Sequence, residues 1–250
     1  AAMLLGDYFR KRGMRGKVDM HIYTPEGLPM PTAGPELGQA VKGMVESQGI
    51  AFHPQHKLTA VDPAARFLTF DNGATAGYDL LVAIPPHRGP QVVRESGLVN
   101  ESGWIPVDRA TMQTKAGNVY AIGDVTTIPL PGRWKPEVPL NLPKAGVFAH
   151  YQADVVARRI AAEIGGRSTD VAFSGEGSCM LEMGHGQAGF ALGNFYATPA
   201  PQVKMYAPGR TWHWGKVLFE QWWLAEGIKR GLLRLLLSAS GRAMGAPVTL

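Results

Sequence analysis

The sequence predicts an α/β fold for roughly its first two-thirds and a different, glycine-rich architecture after that. Residues 18–25, VDMHIYTP, are strand-like, and residues 36–50, ELGQAVKGMVESQGI, have the apolar spacing of an amphipathic helix. Residues 57–86 alternate apolar runs with turn residues, which predicts strand, turn, strand, turn and strand. From Val171 onward, apolar runs interrupted by glycine predict further strands, and a tryptophan-rich segment follows them.

Composition indicates a globular chain that can bury a core. Of the 250 residues, 45% are apolar and 18% are charged, which excludes a disordered segment. The net charge is +5, but Lys and Arg do not gather in one stripe with interleaved aromatic residues, so we expect no nucleic-acid partner. The sequence begins without Met in the middle of a helical pattern, AAMLLGDYFRKRG, and we interpret it as a fragment that lacks an N-terminal part.

The motif VYAIGDVTTIPLPG, residues 119–132, predicts a ligand-binding corner. Residues 119–122 form an apolar, partly β-branched run, as expected of a strand covered on both faces of a parallel sheet. Gly123 and Asp124 follow at the exit of this strand. In doubly wound folds ligands bind there, where glycine permits close backbone approach and a carboxylate accepts hydrogen bonds from ribityl-type hydroxyls. A helix or turn cap by Asp124 is the alternative.

A long helix is predicted over residues 143–164. Pro143 suits an early helical position, and apolar residues recur near helical spacing until Gly165 and Gly166 end the pattern. The N-terminal amides of such a helix can point at an electron-rich ring. The corner and the helix together therefore suit a dinucleotide that carries a ring.

Three motifs, in this order and spacing, resemble a known family. DLLVAIPPHR, VYAIGDVTTIP and LPKAGVFAHYQADVVARRIAAEI resemble the later two-thirds of the sulfide:quinone oxidoreductases, a branch of the two-domain FAD-linked reductases. YAIGD is typical of flavin reductases in general, whereas PKAGVFAHYQA and GSCMLEMGHGQAGFA indicate the sulfide:quinone branch. The resemblance implies an FAD-dependent oxidoreductase that takes electrons from sulfide, or a related small-molecule sulfur donor, and passes them through the flavin to a membrane quinone.

The resemblance also implies the fold and the domain limits. The fold would be α/β with two dinucleotide-binding, Rossmann-like domains, the first incomplete here, plus a C-terminal β-hairpin and a helical membrane or interface segment. Residues 1–97 would be the second, NAD-binding-like domain, truncated at its start. Residues 98–166 would be the returning part of the FAD-binding domain, and residues 167–250 the C-terminal domain with the redox cysteine.

Five residues are implied to contact the cofactor FAD. Gly123 and Asp124 would contact its ribityl chain. The backbone amides of Lys144, Ala145 and Gly146 would lie beside the pyrimidine edge of the flavin, where they would stabilise the anionic reduced form.

Two other patterns are not interpreted as sites. GHGQAG, residues 184–189, matches the fingerprint G-x-G-x-x-G, but a strand-like run follows it and no acidic residue lies about 20 positions on, so we predict a hairpin loop. The family's true fingerprint is absent, so the chain is expected to hold the isoalloxazine end of FAD without its pyrophosphate.

His53 and His56 have no third ligand of defined spacing, so no metal site is predicted.

Cys179, the only cysteine in the sequence, is either a small buried apolar residue or a reactive thiol. It lies in GSCMLEMG, which resembles the segment that carries the family's later redox cysteine. The resemblance therefore implies that Cys179 is catalytic and that its partner cysteine lies upstream of Ala1. A nearby cation or helix N-terminus would have to lower its pKa, and Lys144 is the candidate cation.

The segment TWHWGKVLFEQWWLAEGIKRGLLRLLL, residues 211–237, combines aromatic, leucine and basic residues. This combination suits a bilayer interface, and the resemblance likewise implies peripheral attachment to a membrane surface of the bacterial inner-membrane type. Its charges exclude a spanning helix. The interface of a homo-oligomer, or a cap on the core, is the alternative.

Three functions remain open from the sequence. The first is the sulfide-oxidising, quinone-reducing flavoprotein. The second keeps the fold but takes electrons from NADH, as in the type II dehydrogenases, with Glu26 at the end of a strand as a possible ribose ligand. The third is a non-enzymatic membrane-surface protein on a flavin scaffold.

Overall fold

The structure is a computed structural model that describes residues 1–246. It confirms the α/β class. The helices are α1 (Ala2–Lys11), α2 (Pro35–Glu46), α3 (Gln91–Glu95), α4 (Gly146–Ile164), α5 (Arg210–Leu224) and α6 (Gly227–Ala243). The strands are β1 (Met20–Tyr23), β2 (Ile50–His53), β3 (Leu58–Asp62), β4 (Phe67–Phe70), β5 (Thr75–Gly77), β6 (Ile105–Pro106), β7 (Thr126–Thr127), β8 (Glu176–Gly184), β9 (Gln187–Asn194) and β10 (Gln202–Gly209).

The first region contains a β-α-β unit. Strands β1 and β2 pair in parallel, with Met20 opposite Ile50, and α2 connects them. Helix α2 buries Leu37, Val41 and Val45, whose spacing of four residues forms the apolar stripe that its sequence predicts. The helix ends at Glu46, before the predicted limit at residue 50, because the chain turns there to begin β2.

Strands β3, β4 and β5 form an antiparallel three-stranded sheet, so the first two strands agree with the prediction for this segment, whereas the third is formed by Thr75–Gly77 and not by the apolar run after it. The last strand ends at Gly77. The apolar run that follows belongs to no strand, and its Leu80, Val82 and Ile84 side chains are exposed.

The strand predicted over residues 119–122 is wrong in this structure. Only Tyr120 forms an isolated bridge, with Gln113, and Ile122 is exposed. No strand among residues 1–246 lies beside this run as a ladder partner, so its backbone stays irregular. After this run, β7 pairs in parallel with β6, so a short parallel pair lies next to Gly123 and Asp124.

The third region is an antiparallel sheet in the order β10, β9, β8, followed by two helices. The glycine-broken strands predicted from the sequence are β8 and β9, whereas β10 was not predicted. A glycine, an alanine and a proline, Gly209, Ala207 and Pro208, weaken its strand pattern.

Three clusters of buried side chains join these regions into one packed body. The largest lies between α4 and the chain on both sides of it and contains Met112, Ile128, Leu130, Phe148, Val155, Phe173 and Phe195. The other two pack α1 and α2 against the sheet through residues such as Leu181 and Met205. None of the helices in residues 1–246 is both long and apolar enough to cross a membrane.

Candidate functional site

Gly123 begins a short 3₁₀ turn, Gly123–Val125, that is docked against α4. Its φ angle is +69°, a conformation that glycine adopts without strain. Its amide donates a hydrogen bond of 2.7 Å to Oε1 of Gln152, in the second turn of α4. A Cβ atom at Gly123 would lie 3.1 Å from the Cβ of Ala149, so the backbone angle favours glycine here and the close contact with α4 adds to that preference.

Asp124 is exposed, and no group in the described part of the chain hydrogen-bonds to its carboxylate oxygens. Its backbone carbonyl accepts a hydrogen bond of 2.6 Å from Nζ of Lys144. The carboxylate therefore caps neither the turn nor α4 in this structure, contrary to the alternative interpretation. It remains available as a hydrogen-bond acceptor.

Helix α4 begins at Gly146, three residues later than predicted. Ala145 has extended backbone angles, so Pro143, Lys144 and Ala145 form an approach to the helix rather than its first turn. The amides of Phe148 and Ala149 donate to the carbonyl oxygen of Ala145. Within residues 1–246 the amides of Gly146 and Val147 have no acceptor, as is usual at a helix N-terminus without a side-chain cap.

The Lys144 amine lies inside this corner. Its Nζ donates to the backbone oxygens of Asp124 and Thr126, at 2.6 and 2.8 Å, and lies 3.6 Å from the ring centre of Trp104. Burial lowers the pKa of Lys144, while the nearby Asp124 carboxylate acts in the opposite direction. The side chain therefore links the Gly123 turn to the approach of α4.

The structure gathers several of the predicted residues around one small pocket. Gly123, Lys144 and Ala145 line it, and Asp124 and Gly146 adjoin them in the chain; the other lining residues are Thr126, Ile128, Leu142, Pro143, Phe148 and Gln152. Sequence analysis did not identify Gln152. A signal was present, since Gln152 lies between Phe148 and Val155 on the face of α4 that is otherwise buried and apolar.

Cys179 lies elsewhere, on β8, and lines a separate apolar pocket between α2 and the antiparallel sheet. The other residues around this pocket are Met30, Leu37, Val41, Leu181, Gly189, Phe190, Ala191 and Met205. The residue is exposed overall, but these neighbours shield the thiol enough to raise the pKa of Cys179. The predicted lowering of this pKa by Lys144 is wrong in the described chain, because burial is the cause acting on the thiol and the Lys144 amine is held by backbone oxygens.

The GHGQAG segment is a hairpin loop, as predicted. Strand β8 ends at Gly184 and β9 begins at Gln187, with both intervening residues at positive φ. A strand follows the loop where a nucleotide-binding fingerprint would need a helix.

His53 belongs to an aromatic group on β1, β2 and β4. Its ring stacks on Tyr23 at 4.4 Å and faces His21, and its Nε2 lies 3.0 Å from Nδ1 of His21. Burial, followed by the charges of His21 and His56, lowers the pKa of His53. In residues 1–246 no group of three or more His, Cys, Asp or Glu side chains is placed to hold a metal ion.

With this geometry established, comparison with known proteins identifies the family. Residues 2–152 match the family described as pyridine nucleotide-disulphide oxidoreductase, and these residues are more than half of the chain. The chain belongs to this family. Its proteins bind FAD, which confirms the expected cofactor.

The resemblance of this family member to sulfide:quinone oxidoreductases is also confirmed. The mitochondrial enzyme of Schizosaccharomyces pombe is 27% identical over 189 residues, 72% of this chain and 38% of that protein. The crystal structure of the enzyme from Aquifex aeolicus has a TM-score of 0.76 and 25% identity, covering 89% of this chain and 53% of its own. A coenzyme A disulfide reductase of Staphylococcus epidermidis is 28% identical over 94 residues, 37% of this chain and 21% of that protein. The chain thus spans about half or less of these relatives.

The corner fits one end of such a cofactor. Among residues 1–246, no group uses the Asp124 carboxylate, an acceptor for hydroxyl groups, or the first amides of α4, which are donors for an electron-rich ring edge. Gly123 keeps the turn close to the helix.

Proposed function

We propose that the complete protein is an FAD-dependent oxidoreductase that oxidises sulfide or a related sulfur species. One observation carries this proposal: the Gly123 turn is docked on the N-terminal part of α4 in a chain that is similar to sulfide:quinone oxidoreductase over 89% of its length. The domain division at residues 97 and 166 stays a prediction within this proposal.

The residues of the corner would bind the cofactor in distinct ways. Asp124 would accept hydrogen bonds from the ribityl hydroxyls, and the amides of Lys144, Ala145 and Gly146 would lie along the pyrimidine edge. The positive end of the helix dipole favours negative charge at that edge. When bound, FAD accepts two electrons and passes them on.

Cys179 would be the residue that handles sulfur. Thiolates attack sulfur in disulfides and persulfides far better than thiols do. Because burial raises the pKa of Cys179, the thiolate fraction near neutral pH is smaller than for a free cysteine. We therefore expect the reaction at Cys179 to become faster as the pH rises.

A quinone in a membrane would receive the electrons. The support comes from α5 and α6, whose outer surface carries exposed Trp214, Trp223, Leu224, Ile228, Leu232, Leu235 and Leu236. The basic residues Lys229, Arg230 and Arg234 lie among them and suit lipid headgroups. A peripheral attachment would bring the flavin close to a lipid-soluble acceptor, while the same surface would also suit a second copy of the chain.

A second candidate is oxidation of NADH at the β-α-β unit. Glu26 follows β1, at the carboxyl end of a parallel pair, where a ribose ligand would lie. Its carboxylate is exposed and accepts a hydrogen bond from the Thr24 hydroxyl.

The test compares electron donors on the purified full-length protein without oxygen. Sulfide should bleach the flavin absorbance, a soluble short-chain quinone should restore it, and NADH should have little effect. Cys179→Ser should keep the bound flavin but lose the sulfide response, whereas Ser178→Ala, one residue away on β8, should respond normally.

The other outcomes separate the alternatives. Bleaching by NADH alone would favour the second candidate. A colourless full-length protein would favour a non-enzymatic membrane-surface role, and unchanged sulfide bleaching in Cys179→Ser would make that cysteine structural.

A further inference from the structure

The side chain of Gln152 is buried beneath the candidate flavin corner. It is 1% exposed and lies on the buried face of α4, between Phe148 and Val155. Its Oε1 accepts the 2.7 Å hydrogen bond from the Gly123 amide. Since only the amide oxygen can accept from an N–H group, this contact assigns both ends of the side chain: the oxygen faces Gly123 and the Nε2 group faces away from it.

The Nε2 group has no acceptor in the described part of the chain. Gln152 lines the same pocket as Gly123, Lys144 and Ala145. Nε2 is not one of the fully enclosed side-chain atoms that lack a partner, which is consistent with an amide group that reaches the open space of the pocket. The pocket therefore presents an amide donor that no group in residues 1–246 uses, and such a donor binds an acceptor oxygen favourably.

The neighbouring groups indicate what kind of acceptor fits. The amides of Gly146 and Val147, which have no acceptor in the described residues, are donors, and the Lys144 amine is a cation. A group that brought a further donor would leave these groups unsatisfied. An electron-rich oxygen suits all of them, and flavin offers carbonyl oxygens on its pyrimidine ring.

We propose that Gln152 is a positioning residue that links the Gly123 turn to the flavin, with its Oε1 on the Gly123 amide and its Nε2 donating to an oxygen of the bound flavin ring. This inference rests on the proposed function. The role suits a glutamine side chain, because its amide carries an acceptor oxygen and a donor nitrogen side by side, whereas glutamate lacks the donor and asparagine is one methylene shorter.

The test uses Gln152→Glu in the full-length protein at pH 8, where a carboxylate keeps the acceptor for Gly123 but replaces the donor. The dissociation constant of FAD should rise by about tenfold, which is the loss of one hydrogen bond. The midpoint potential of the flavin should fall, because a negative group next to the ring disfavours the reduced anion. Gln202→Glu, which adds the same charge on exposed residue 202 of β10, is the matched control and should change neither quantity.

Three results would overturn the inference. FAD affinity and potential in Gln152→Glu equal to those of the control would remove the contact. A lower thermal stability of the FAD-free protein, with affinity and potential unchanged, would make Gln152 a purely structural link. A fall in affinity with an unchanged potential would assign the donor to the ribityl chain rather than the ring.

Failure of the proposed function is distinguishable from these results. If the parent protein binds no FAD, the function and the inference fail together. If the parent binds FAD and Asp124→Ala weakens binding while Gln152→Glu does not, the function stands and the inference alone fails. Gln152→Met, which removes both hydrogen bonds, should weaken FAD binding at least as much as Gln152→Glu, and normal affinity in that variant would also contradict the inference.

Discussion

Gly123 lies so close to Ala149 that a methyl group on Gly123 would come within 3.1 Å of the Ala149 Cβ. The turn that contains Gly123 and Asp124 is therefore packed directly on the first turn of α4, where Ala149 lies. The N-terminus of the same helix borders the pocket that Gly123 lines. A side chain at residue 123 would therefore require the turn or Ala149 to shift by a few tenths of an ångström.

We expect Gly123→Ala to destabilise the protein by about 1–2 kcal/mol, since a residue with a Cβ is strained at positive φ, and to lower flavin occupancy. The additional change Ala149→Gly should recover part of the loss by removing the contact, while the strain of the backbone remains. Gly117→Ala, at a glycine with open space around it, is the control. Chemical denaturation and the flavin to protein absorbance ratio measure both effects; equal stability of Gly123→Ala and the control would contradict the packing argument.

Asp124→Ala should lower flavin occupancy while leaving the fold intact, because its carboxylate is exposed and has no hydrogen-bond partner in the described chain. Asp124→Asn should have a smaller effect, since the amide oxygen can still accept from a hydroxyl. The measurement is FAD titration of the cofactor-free protein. Full occupancy and unchanged affinity in Asp124→Ala would exclude a role for the carboxylate in binding.

The outer face of α6 should bind lipid vesicles. Ile228, Leu232 and Leu235 recur at helical spacing and are 85%, 59% and 68% exposed. Replacing all three with Ser should reduce co-sedimentation with anionic vesicles at least tenfold, because each apolar side chain that enters the bilayer contributes about 1 kcal/mol or more to the free energy of binding. Flavin content should stay constant.

Substitution on α6 tests the membrane face more specifically than removal of the whole segment after Thr211 would. Trp212 stacks on the fully buried Phe190 at 4.7 Å, so truncation would also remove part of the core. The control replaces exposed Leu4 and Val92 with Ser in the first region. Equal vesicle binding by both variants would argue against the membrane face, and a change in oligomeric state for the α6 variant would indicate a contact between copies instead.

Asp7 should make the free energy of unfolding depend on pH under acidic conditions. Its side chain is 8% exposed and pairs with Lys11 at 2.8 Å. The hydrogen bond to Lys11 is the main cause that lowers the pKa of Asp7, and the backbone amide of His185 in the β8–β9 loop adds to it, while burial opposes. A lowered pKa in the folded state means that this contribution is present above the unfolded value of about 3.9 and is lost as the pH falls through the folded pKa.

Asp7→Asn should therefore lower the free energy of unfolding by about 1 kcal/mol at pH 7. This difference from the parent should shrink as the pH falls below about 4. Urea unfolding across pH measures it. Asp154→Asn, which removes an exposed pair with Arg158 on α4, should show little change at any pH. A constant difference for Asp7→Asn across the range would show that its charge is not the cause.

The Cys179 thiol should react with iodoacetamide with an apparent pKa above that of an ordinary cysteine, about 8.5, since burial raises its pKa. The rate of modification of the peptide that contains Cys179, followed by mass spectrometry, should rise with pH. It should reach half its maximum at a higher pH in the folded protein than in denaturant. A midpoint below that of the denatured protein would reveal a cation or helix terminus near the thiol in the complete protein.

The sequence by itself determined the local elements. The spacing of Leu37, Val41 and Val45 defines the buried stripe of α2, and the glycines at 184 and 186 define the hairpin loop. It also directed attention to Gly123 and Asp124, because an apolar run that ends in a glycine and a carboxylate is visible in the sequence, although the strand expected before them is not formed. Such features depend on neighbours within a few positions, which the sequence displays directly.

Only the tertiary structure decided the contacts between distant positions. Gln152 and Gly123 lie 29 residues apart, and the Lys144 amine is directed at the oxygens of Asp124 and Thr126 rather than at Cys179. The predicted strand over residues 119–122 is absent because its backbone pairing, with residues 112–114, stops at a single bridge between Gln113 and Tyr120. How far such pairing extends depends on the partner segment and not on the composition of the run itself. The thiol of Cys179 has a raised pKa because chain segments from α2 and β10 pack around it. A pKa and a hydrogen bond depend on which groups meet in space, and packing of the whole chain determines that.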